Sequence, residues 1–250
     1  ARDSEVREYR LFGGVDPAWR RRGIGTALFA DNQRRARALA ETHRTERARV
    51  FGAFAGEHQA GAIALLRHGG FTQVRWFFDM ERPNLEDIPE LPLPEGIELR
   101  PITPDLYRRV WEADIEAFRD HWGGHDESEE AMRRHFESPA SDPSLWIIAF
   151  DGDEVAAGVV NTIYHEENEA LGVRRGWLDS VFTRRPWRRR GLARALIARS
   201  LAILRDRGMT SAALGVDADN PLGALGLYES LGFAVSERFS AWRKPMDDAR

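Results

Sequence analysis

The sequence contains no cysteine among its 250 residues, which excludes disulfides and thiolate metal sites. Without cysteine, the protein has no thiol that could carry an acyl group between two half-reactions. No apolar run approaches the roughly 18 residues that a membrane span needs. Residues 1–5 contain no apolar stretch of the signal-peptide type, so we expect a cytoplasmic protein without a membrane partner.

The chain also has little net charge, because 36 basic residues face 40 acidic ones and leave −4. This balance argues against a general nucleic-acid-binding surface. Arginines nevertheless cluster at residues 20–22 and 188–190. Either cluster could be a solvated loop, but a position just before a glycine and a helix favours a phosphate site.

The chain contains a strand, a basic turn and a helix in succession. Apolar residues alternate up to Thr183, which predicts a strand, and those between 193 and 204 share one helical stripe. The basic turn, residues 184–191, holds five arginines within 184–190. Gly191 would let backbone N–H groups approach a phosphate, and the helix dipole would add to the attraction.

Two motifs carry a family resemblance. The pattern Arg188-x-x-Gly191-x-Ala193 after a strand resembles the acyl-CoA pyrophosphate loop of the GCN5-related N-acetyltransferases, the GNAT superfamily. The segment from Asn220 through Tyr228 to Phe233 resembles the second block of that family, at the expected distance. The resemblance implies an α/β (α+β) acyl-CoA N-acyltransferase fold, with a mixed, mostly antiparallel central sheet flanked by helices, in tandem.

The first eighty residues repeat the later pattern. Arg20-x-x-Gly23-x-Gly25 matches the later motif, and residues 62–71 align with 224–233. Leu66 then stands where Tyr228 stands, and His58 stands where Asn220 stands. The first copy therefore lacks the hydroxyl that the family uses as an acid, and we predict that it is degenerate.

The repeat predicts three parts: a partial module at 1–82, a proline-rich linker at 83–96 and a complete domain at 97–250. Fewer than twenty residues precede Arg20, too few for the strands and helices of a complete first copy. Either a segment is missing at the N-terminus or the first module is a genuine half-domain. Missing strands would leave an exposed sheet edge, so we expect a missing segment.

Within the second domain, residues 165–176 are interpreted as a polar excursion that precedes the central strand. A helix should open at Thr103-Pro104, with threonine as the cap. The sequence Asp151-Gly152-Asp153 predicts a hairpin turn between two strands. The other predicted elements are strands at 97–102, 145–150, 155–160, 177–183, 211–216 and 239–242, and a helix at 126–136.

The resemblance implies transfer of an acetyl group from acetyl-CoA to a primary amine of a small molecule or peptide, by direct attack in a ternary complex. Backbone groups at the end of the strand would hold the pantetheine arm, and those of the turn would hold the diphosphate. Asn220 could bond the pantetheine or serve only as a helix cap. The predicted binding residues are Val181, Phe182, Thr183, Arg188, Arg189, Arg190, Gly191, Leu192, Ala193 and Asn220.

Two side chains are the predicted catalytic groups. A phenol with a pKa near 10 could protonate a departing thiolate whose conjugate acid has a pKa of roughly 8.5, so Tyr228 is the predicted acid. The alternative is that Tyr228 only packs beneath the sheet. Asp179 is the predicted base, because alternation would put 177, 179 and 181 on one face beside the acceptor. Glu166 or Glu167 is the competing base, and Asp179 could instead bind an arginine.

The remaining acidic residues bear on the acceptor, and the histidines bear on a possible metal site. Asp114, Glu116, Asp126 and Glu127 suggest a cationic amine. No histidine spacing stands out as ligand-like, so no metal is predicted. A non-catalytic acyl-CoA sensor or scaffold is the alternative function, while a Rossmann protein is disfavoured because residues 23–25 lack the third glycine. The amine and the choice between monomer and homodimer stay open.

Overall fold

The structure, a computed structural model, describes residues 6–119, 121–122, 127–219 and 223–246. It divides into two compact units. Unit 1 holds residues 1–78, 217–219 and 237–250, and unit 2 holds 79–216 and 220–236. No helix within the described ranges is long and apolar enough to cross a bilayer.

The described residues form nine strands and seven α-helices. The strands are β1 (Val6–Arg10), β2 (Ala48–Gly56), β3 (Thr72–Arg82), β4 (Ile97–Leu99), β5 (Ile147–Asp151), β6 (Glu154–Thr162), β7 (Arg175–Thr183), β8 (Ser211–Asp217) and β9 (Ala234–Pro245). The helices are α1 (Ile24–Thr42), α2 (Ala60–His68), α3 (Tyr107–Phe118), α4 (Glu129–Glu137), α5 (His165–Leu171), α6 (Leu192–Asp206) and α7 (Ala224–Glu229).

Unit 1 includes the end of β9, far along the chain from its other elements. Strand β2 pairs in parallel with β1 and antiparallel with β9, from Val50↔Pro245 to Gly56↔Phe239. Trp242 and Met246 accordingly enter the core of this unit. The buried members of that core are Tyr9, Ala40, Phe51, Ala53, Ala55, Leu66, Phe71, Trp242 and Met246.

Unit 2 is built on strands in the order β8-β7-β6-β5-β4. The neighbours from β4 to β7 are antiparallel, and only β7 with β8 in this series is parallel. The predicted hairpin forms at Asp151↔Glu154, with Gly152 at φ 56° in its turn. The predicted mixed, mostly antiparallel sheet is therefore confirmed.

Helices cover both faces of this sheet. Asn161 of β6 donates to Ser200 Oγ of α6 at 3.0 Å, which places α6 on one face. Its neighbour Val160 is in register with Ser180, whose hydroxyl donates to Asp114 of α3 at 2.5 Å. Because adjacent residues of a strand face opposite sides, α3 and α6 lie on opposite faces.

Helix α6 forms because its apolar residues recur at helical spacing and meet the sheet. Eight of its residues are buried, among them Leu196, Leu201 and Leu204. Gly176 of β7 is needed where α6 crosses, since a Cβ atom there would lie 2.5 Å from the Leu204 side chain. The predicted strand–turn–helix succession is confirmed at this point.

Helices α3 and α4 differ from their predicted bounds. The chain after Thr103 begins with a 3₁₀ turn, Pro104–Leu106, before α3 starts at Tyr107. Helix α4 begins at Glu129, where the Ser128 hydroxyl accepts from the Ala131 amide at 3.2 Å. Asp126, the predicted start, lies outside the described residues.

The predicted polar excursion at 165–176 contains a helix that the sequence analysis did not predict, α5 at His165–Leu171. The helix ends at Gly172, which adopts the left-handed conformation with φ 65°. The buried Asn168 side chain fastens α5 to β7, donating to Arg175 O at 2.9 Å and accepting from Arg175 N at 3.3 Å. The strand accordingly starts at Arg175, two residues earlier than predicted.

Neither of the two compact units is one continuous stretch of the sequence. The division falls inside β3 and inside β9, whereas the sequence-based boundaries fall after 82 and after 96. Those boundaries describe the internal repeat, and the organisation into 1–82, 83–96 and 97–250 stays a prediction.

Candidate active site

Strands β7 and β8 pair over a short distance and then continue without pairing. Their register runs from Arg175↔Ser211 to Trp177↔Ala213. Beyond this point β7 continues to Thr183, and no further β7–β8 residue pair occurs in the described chain. Unpaired backbone groups at this side of β7 are available to a ligand that binds as an extended strand.

A β-bulge interrupts β7 near the end of this pairing. Val160 is in register with Ser180, but Asn161 is in register with Leu178, so Asp179 has no partner on β6. The predicted alternation of 177, 179 and 181 on one face is therefore wrong. The extra residue moves Ser180 to the face of α3, where its hydroxyl bonds Asp114.

Arg188 serves the basic turn as a structural brace. Its Nε donates to Thr183 O and its Nη2 donates to Ala117 O, both at 3.0 Å. The turn is thereby fixed to the end of β7 and to α3. Arg189 and Arg190 are exposed, so they are the arginines of the predicted binding set that face solvent.

Contacts of Arg184 and Trp187 also hold the turn in place. Arg184 donates to Glu116 Oε2 at 2.8 Å and to Glu154 Oε2 at 2.7 Å. Its guanidinium also lies 5.2 Å from the centre of the Trp187 ring, and the indole N–H of Trp187 donates to Asp151 at 2.8 Å. The turn is consequently rigid before any ligand arrives.

The N-terminus of α6 is open and carries a positive dipole. Gly191 is the N-cap at φ 78°, so no side chain caps the first amides, and the first turn contains no acidic residue. The space where a Cβ atom of Gly191 would lie is empty within 4 Å. The buried Thr183 Oγ1, at the end of β7, has no hydrogen-bond partner in the described chain. These features suit a diphosphate.

The matching turn of unit 1 has the same backbone conformation. Arg21 and Arg189 both have φ 61°, a value unusual for arginine, and Gly23 at 79° matches Gly191 at 78°. Arg20 Nε donates to Val15 O at 3.0 Å, as Arg188 does to Thr183 O. The internal repeat thus extends to the geometry of the turns.

Tyr228 lies in α7 and is 7% exposed. Burial raises the pKa of its hydroxyl to about 12, so the group stays protonated at neutral pH. Its counterpart in unit 1, Leu66, is 4% exposed within the core of that unit. Asn220, the remaining predicted binding residue, lies outside the described residues.

Asp179 is exposed at the bulge, and the hydroxyl of Tyr164 donates to its Oδ2 at 2.9 Å. The charge of Asp179 also acts on His135 of α4. Burial lowers the pKa of that imidazole, and the charge of Asp179 opposes the shift. No salt bridge joins Asp179 to an arginine in the described part of the chain, which leaves the carboxylate available to a substrate.

The other acidic candidates have structural partners. Glu167, the competing base, accepts from Arg175 at 2.6 Å, while Glu166 is exposed. Asp114 accepts from Ser180, and Glu116 accepts from Arg184. Among the residues that the structure describes, no group of three or more histidine, aspartate or glutamate side chains is placed to hold a metal ion.

Sequence reasoning missed Tyr164 and His135. Tyr164 precedes α5, and the signal for that helix was present in the acidic Glu166 and Glu167 followed by Gly172. His135 had no comparable signal. Its position among the rings of Trp111, Phe136 and Trp146, with centroids 5.1 to 5.5 Å away, depends on tertiary packing.

The mixed sheet, with parallel strands that part beside an uncapped helix N-terminus, agrees with an acyl-CoA N-acyltransferase fold. Solved structures agree: a GCN5-related N-acetyltransferase from Sphaerobacter thermophilus superposes with TM-score 0.80 at 26% identity, over 100% of this chain and 76% of that one. A tandem GNAT protein from the clavulanic acid biosynthesis pathway gives TM-score 0.72 at 18% identity, over 97% and 76%, and supports the fold.

The chain belongs to the GNAT family of acetyltransferases, whose family model matches residues 106–233. Its relatives include the mycothiol acetyltransferase of Salinispora arenicola (strain CNS-205), 34% identical over 230 aligned positions that cover 88% of this chain and 68% of the relative. The mycothiol acetyltransferase of Nocardiopsis dassonvillei is 32% identical over 257 aligned positions, 94% and 74% of the two chains. N-acetyl transfer is therefore the class of reaction.

Proposed function

We propose that unit 2 transfers an acetyl group from acetyl-CoA to a primary amine of a small molecule or peptide, by direct attack in a ternary complex. The observation that carries this proposal is the parting of β7 from β8 beside the basic turn. A pantetheine arm laid along the free side of residues 181–183 would find backbone partners there. One N–H would then polarise the thioester carbonyl.

The diphosphate of acetyl-CoA binds at the start of α6 in this proposal. The amides of residues 189–193 provide donors, and the exposed Arg189 and Arg190 provide countercharge. Arg188 contributes by bracing the turn rather than by meeting the phosphate, because its guanidinium already bonds two carbonyls. The orphaned Thr183 hydroxyl offers a further partner to the bound molecule.

The proton transfers are assigned to Asp179 and Tyr228. Asp179 takes a proton from the acceptor ammonium, directly or through water, and the free amine attacks the thioester carbon. The C–S bond breaks and the thiolate takes the proton of Tyr228. The second proton of the attacking nitrogen returns to the Tyr228 oxygen, directly or through water, which leaves a neutral amide. The absence of cysteine supports direct transfer, since no thiol of the enzyme is available to hold the acetyl group.

We propose that the first module does not catalyse, because Leu66 occupies the position equivalent to Tyr228. For the acceptor, the relatives named mycothiol acetyltransferase favour an amine of the mycothiol type, a cysteinyl amino sugar. The exposed carboxylate of Asp179 suits such a cationic amine.

The test measures CoA thiol release from acetyl-CoA with a panel of amines: a cysteinyl amino sugar, glucosamine, an aminoglycoside and a peptide with a free α-amine. We expect amine-dependent release with at least one, and calorimetry should detect acetyl-CoA binding that Tyr228→Phe retains. Binding without release from any amine would contradict the enzyme and favour an acyl-CoA sensor.

A further inference from the structure

Tyr164 stands at the junction between β6 and α5, beside the bulge of β7. Its hydroxyl donates to Asp179 Oδ2 at 2.9 Å. The tyrosine directly precedes α5, and the Asn168 side chain fixes that helix to the backbone of Arg175. The phenol is therefore presented to Asp179 by a helix that is itself anchored to the strand carrying Asp179.

The two carboxylate oxygens of Asp179 differ in their hydrogen bonding. Oδ2 accepts from Tyr164, whereas Oδ1 accepts no hydrogen bond that involves the described residues. Asp179 is exposed and has no register partner on β6. Without the hydrogen bond to Tyr164, its side chain would therefore be free to rotate. A carboxylate held at one oxygen presents the other in a defined direction, which matters for proton transfer.

We propose that Tyr164 is a positioning residue that holds Asp179 so that Oδ1 faces the incoming amine. The inference rests on the proposed function, because it takes Asp179 as the base. Tyr164 acts through Asp179 and needs no contact with the acetyl group.

The electrostatic surroundings agree with this role. Burial, followed by the charge of Asp179 and the hydrogen bond to it, raises the pKa of Tyr164 to about 12, so the phenol remains a donor throughout the neutral range. The other titratable group facing Asp179 is His135 of α4. Glu167 of α5 faces Tyr164, and Arg175 pairs with that glutamate at 2.6 Å.

The first experiment measures kcat/KM with the best amine from the panel for Tyr164→Phe, made both in the unaltered chain and in Asp179→Asn. Loss of a hydrogen bond to a charged group should lower kcat/KM for the amine about tenfold at neutral pH when Asp179 is present, and should have little further effect in Asp179→Asn. The KM for acetyl-CoA should not change. Tyr107→Phe is the matched control, since that ring stacks on Phe136 at 4.2 Å and the loss of its hydroxyl should leave kcat/KM unchanged.

Two kinetic results would overturn the proposal. An equal loss of kcat/KM from Tyr164→Phe with and without the Asp179 carboxylate would show that the phenol does not act through Asp179. Loss of transfer at every pH in Tyr164→Phe, together with near-normal transfer in Tyr228→Phe, would make Tyr164 the acid instead.

A second experiment needs no turnover. The chain has four tyrosines, so labelling with [¹³Cζ]tyrosine gives few NMR signals, and the one missing in Tyr164→Phe is that of Tyr164. Asp179→Asn should move this signal and leave the others in place, and an unmoved signal would overturn the positioning role. Absence of thiol release by the unaltered chain with every amine overturns the proposed function instead, so the two failures are distinguishable.

Discussion

Tyr228 is a buried side chain in a very short helix, and its ring meets Phe233 edge to face at 6.1 Å. The hydroxyl keeps its proton well above neutral pH, because burial raises the pKa to about 12. Ionisation of this group should therefore impose no alkaline limit on activity between pH 7 and about pH 10. A residue that looks like a packing residue can in this way hold a proton ready for transfer.

We predict that Tyr228→Phe lowers kcat for amine-dependent thiol release by about 100-fold, because general acid catalysis contributes 10²–10⁴-fold. The affinity for acetyl-CoA should stay unchanged, since the ring remains and only the hydroxyl is lost. Thiol-release kinetics and calorimetry measure the two quantities, with Tyr107→Phe as the control. A parallel loss of acetyl-CoA affinity would argue for a packing role alone.

His135 should make the stability of the fold sensitive to acid. Burial lowers its folded-state pKa below 6.5, although Asp179 opposes the shift, so the unfolded chain takes up the proton more readily. This contribution to stability is present above pH 6.5 and is lost as the pH falls through the folded-state pKa. The thermal midpoint of His135→Gln should then fall less between pH 7 and pH 5 than that of the unaltered chain. The exposed His68→Gln should behave like the unaltered chain, and an equal acid response in His135→Gln would contradict the assignment.

At the scale of elements, the sequence predicted those turns and helices that residues close together in the chain specify. The hairpin at residues 151–154 and the helix after Gly191 formed as expected, because turn residues and apolar spacing specify them. Helix α5 was missed because it is short and polar and its buried residue is Asn168. The bulge at Asp179 was missed because it is a property of the register between two strands, which neither strand reveals alone.

The binding site, too, could be predicted from the sequence only where local residues determine its structure. Its backbone part, the basic turn with Gly191, was predictable because a glycine at that position indicates a left-handed backbone conformation. The contacts of individual side chains were not: Arg188 was predicted to add charge at the phosphate, and its bonds to Ala117 O and Thr183 O had no sequence signal. Tyr164 bonds Asp179 and His135 feels the charge of that carboxylate from separate elements, so these interactions depend on the tertiary fold.

We predict that Gly191→Ala weakens acetyl-CoA binding beyond its effect on stability. A left-handed alanine should cost about 1–2 kcal/mol of folding free energy, and its methyl group would point into the space open to the diphosphate. Gly172→Ala is the matched control, since Gly172 at φ 65° also has open space around it but ends α5. Calorimetry with acetyl-CoA should separate the variants, and equal affinities would place the diphosphate elsewhere.

At the scale of the whole molecule, unit 1 depends on residues from the far part of the chain. Trp242 is 3% exposed and contributes to the same core as Phe51 and Phe71. Seven residue pairs join β2 to β9, and Ser240 Oγ accepts from the Trp242 indole at 2.8 Å. The sequence indicated a repeat of two modules but could not reveal this contribution, because strand partners leave no local pattern.

We predict that Trp242→Ala destabilises unit 1 by about 3–5 kcal/mol, as large-to-small substitutions in cores do. Amide hydrogen exchange should quicken in β1 and β2, while β5 and β6 keep their protection. Leu201→Ala, in the fully buried part of α6, is the reciprocal control and should affect unit 2 first. Uniform loss of protection after Trp242→Ala would contradict a separate core in unit 1.

The placement of β9 has a consequence for biosynthesis. A ribosome releases residues 6–78 before those of unit 2, yet β2 cannot receive its antiparallel partner until residues 237–245 have emerged. The nascent chain must therefore carry β2 with one edge open while all of unit 2 is being translated, and unpaired edges of this kind attract chaperones or other chains. The module that is made first is in this way the last to be completed.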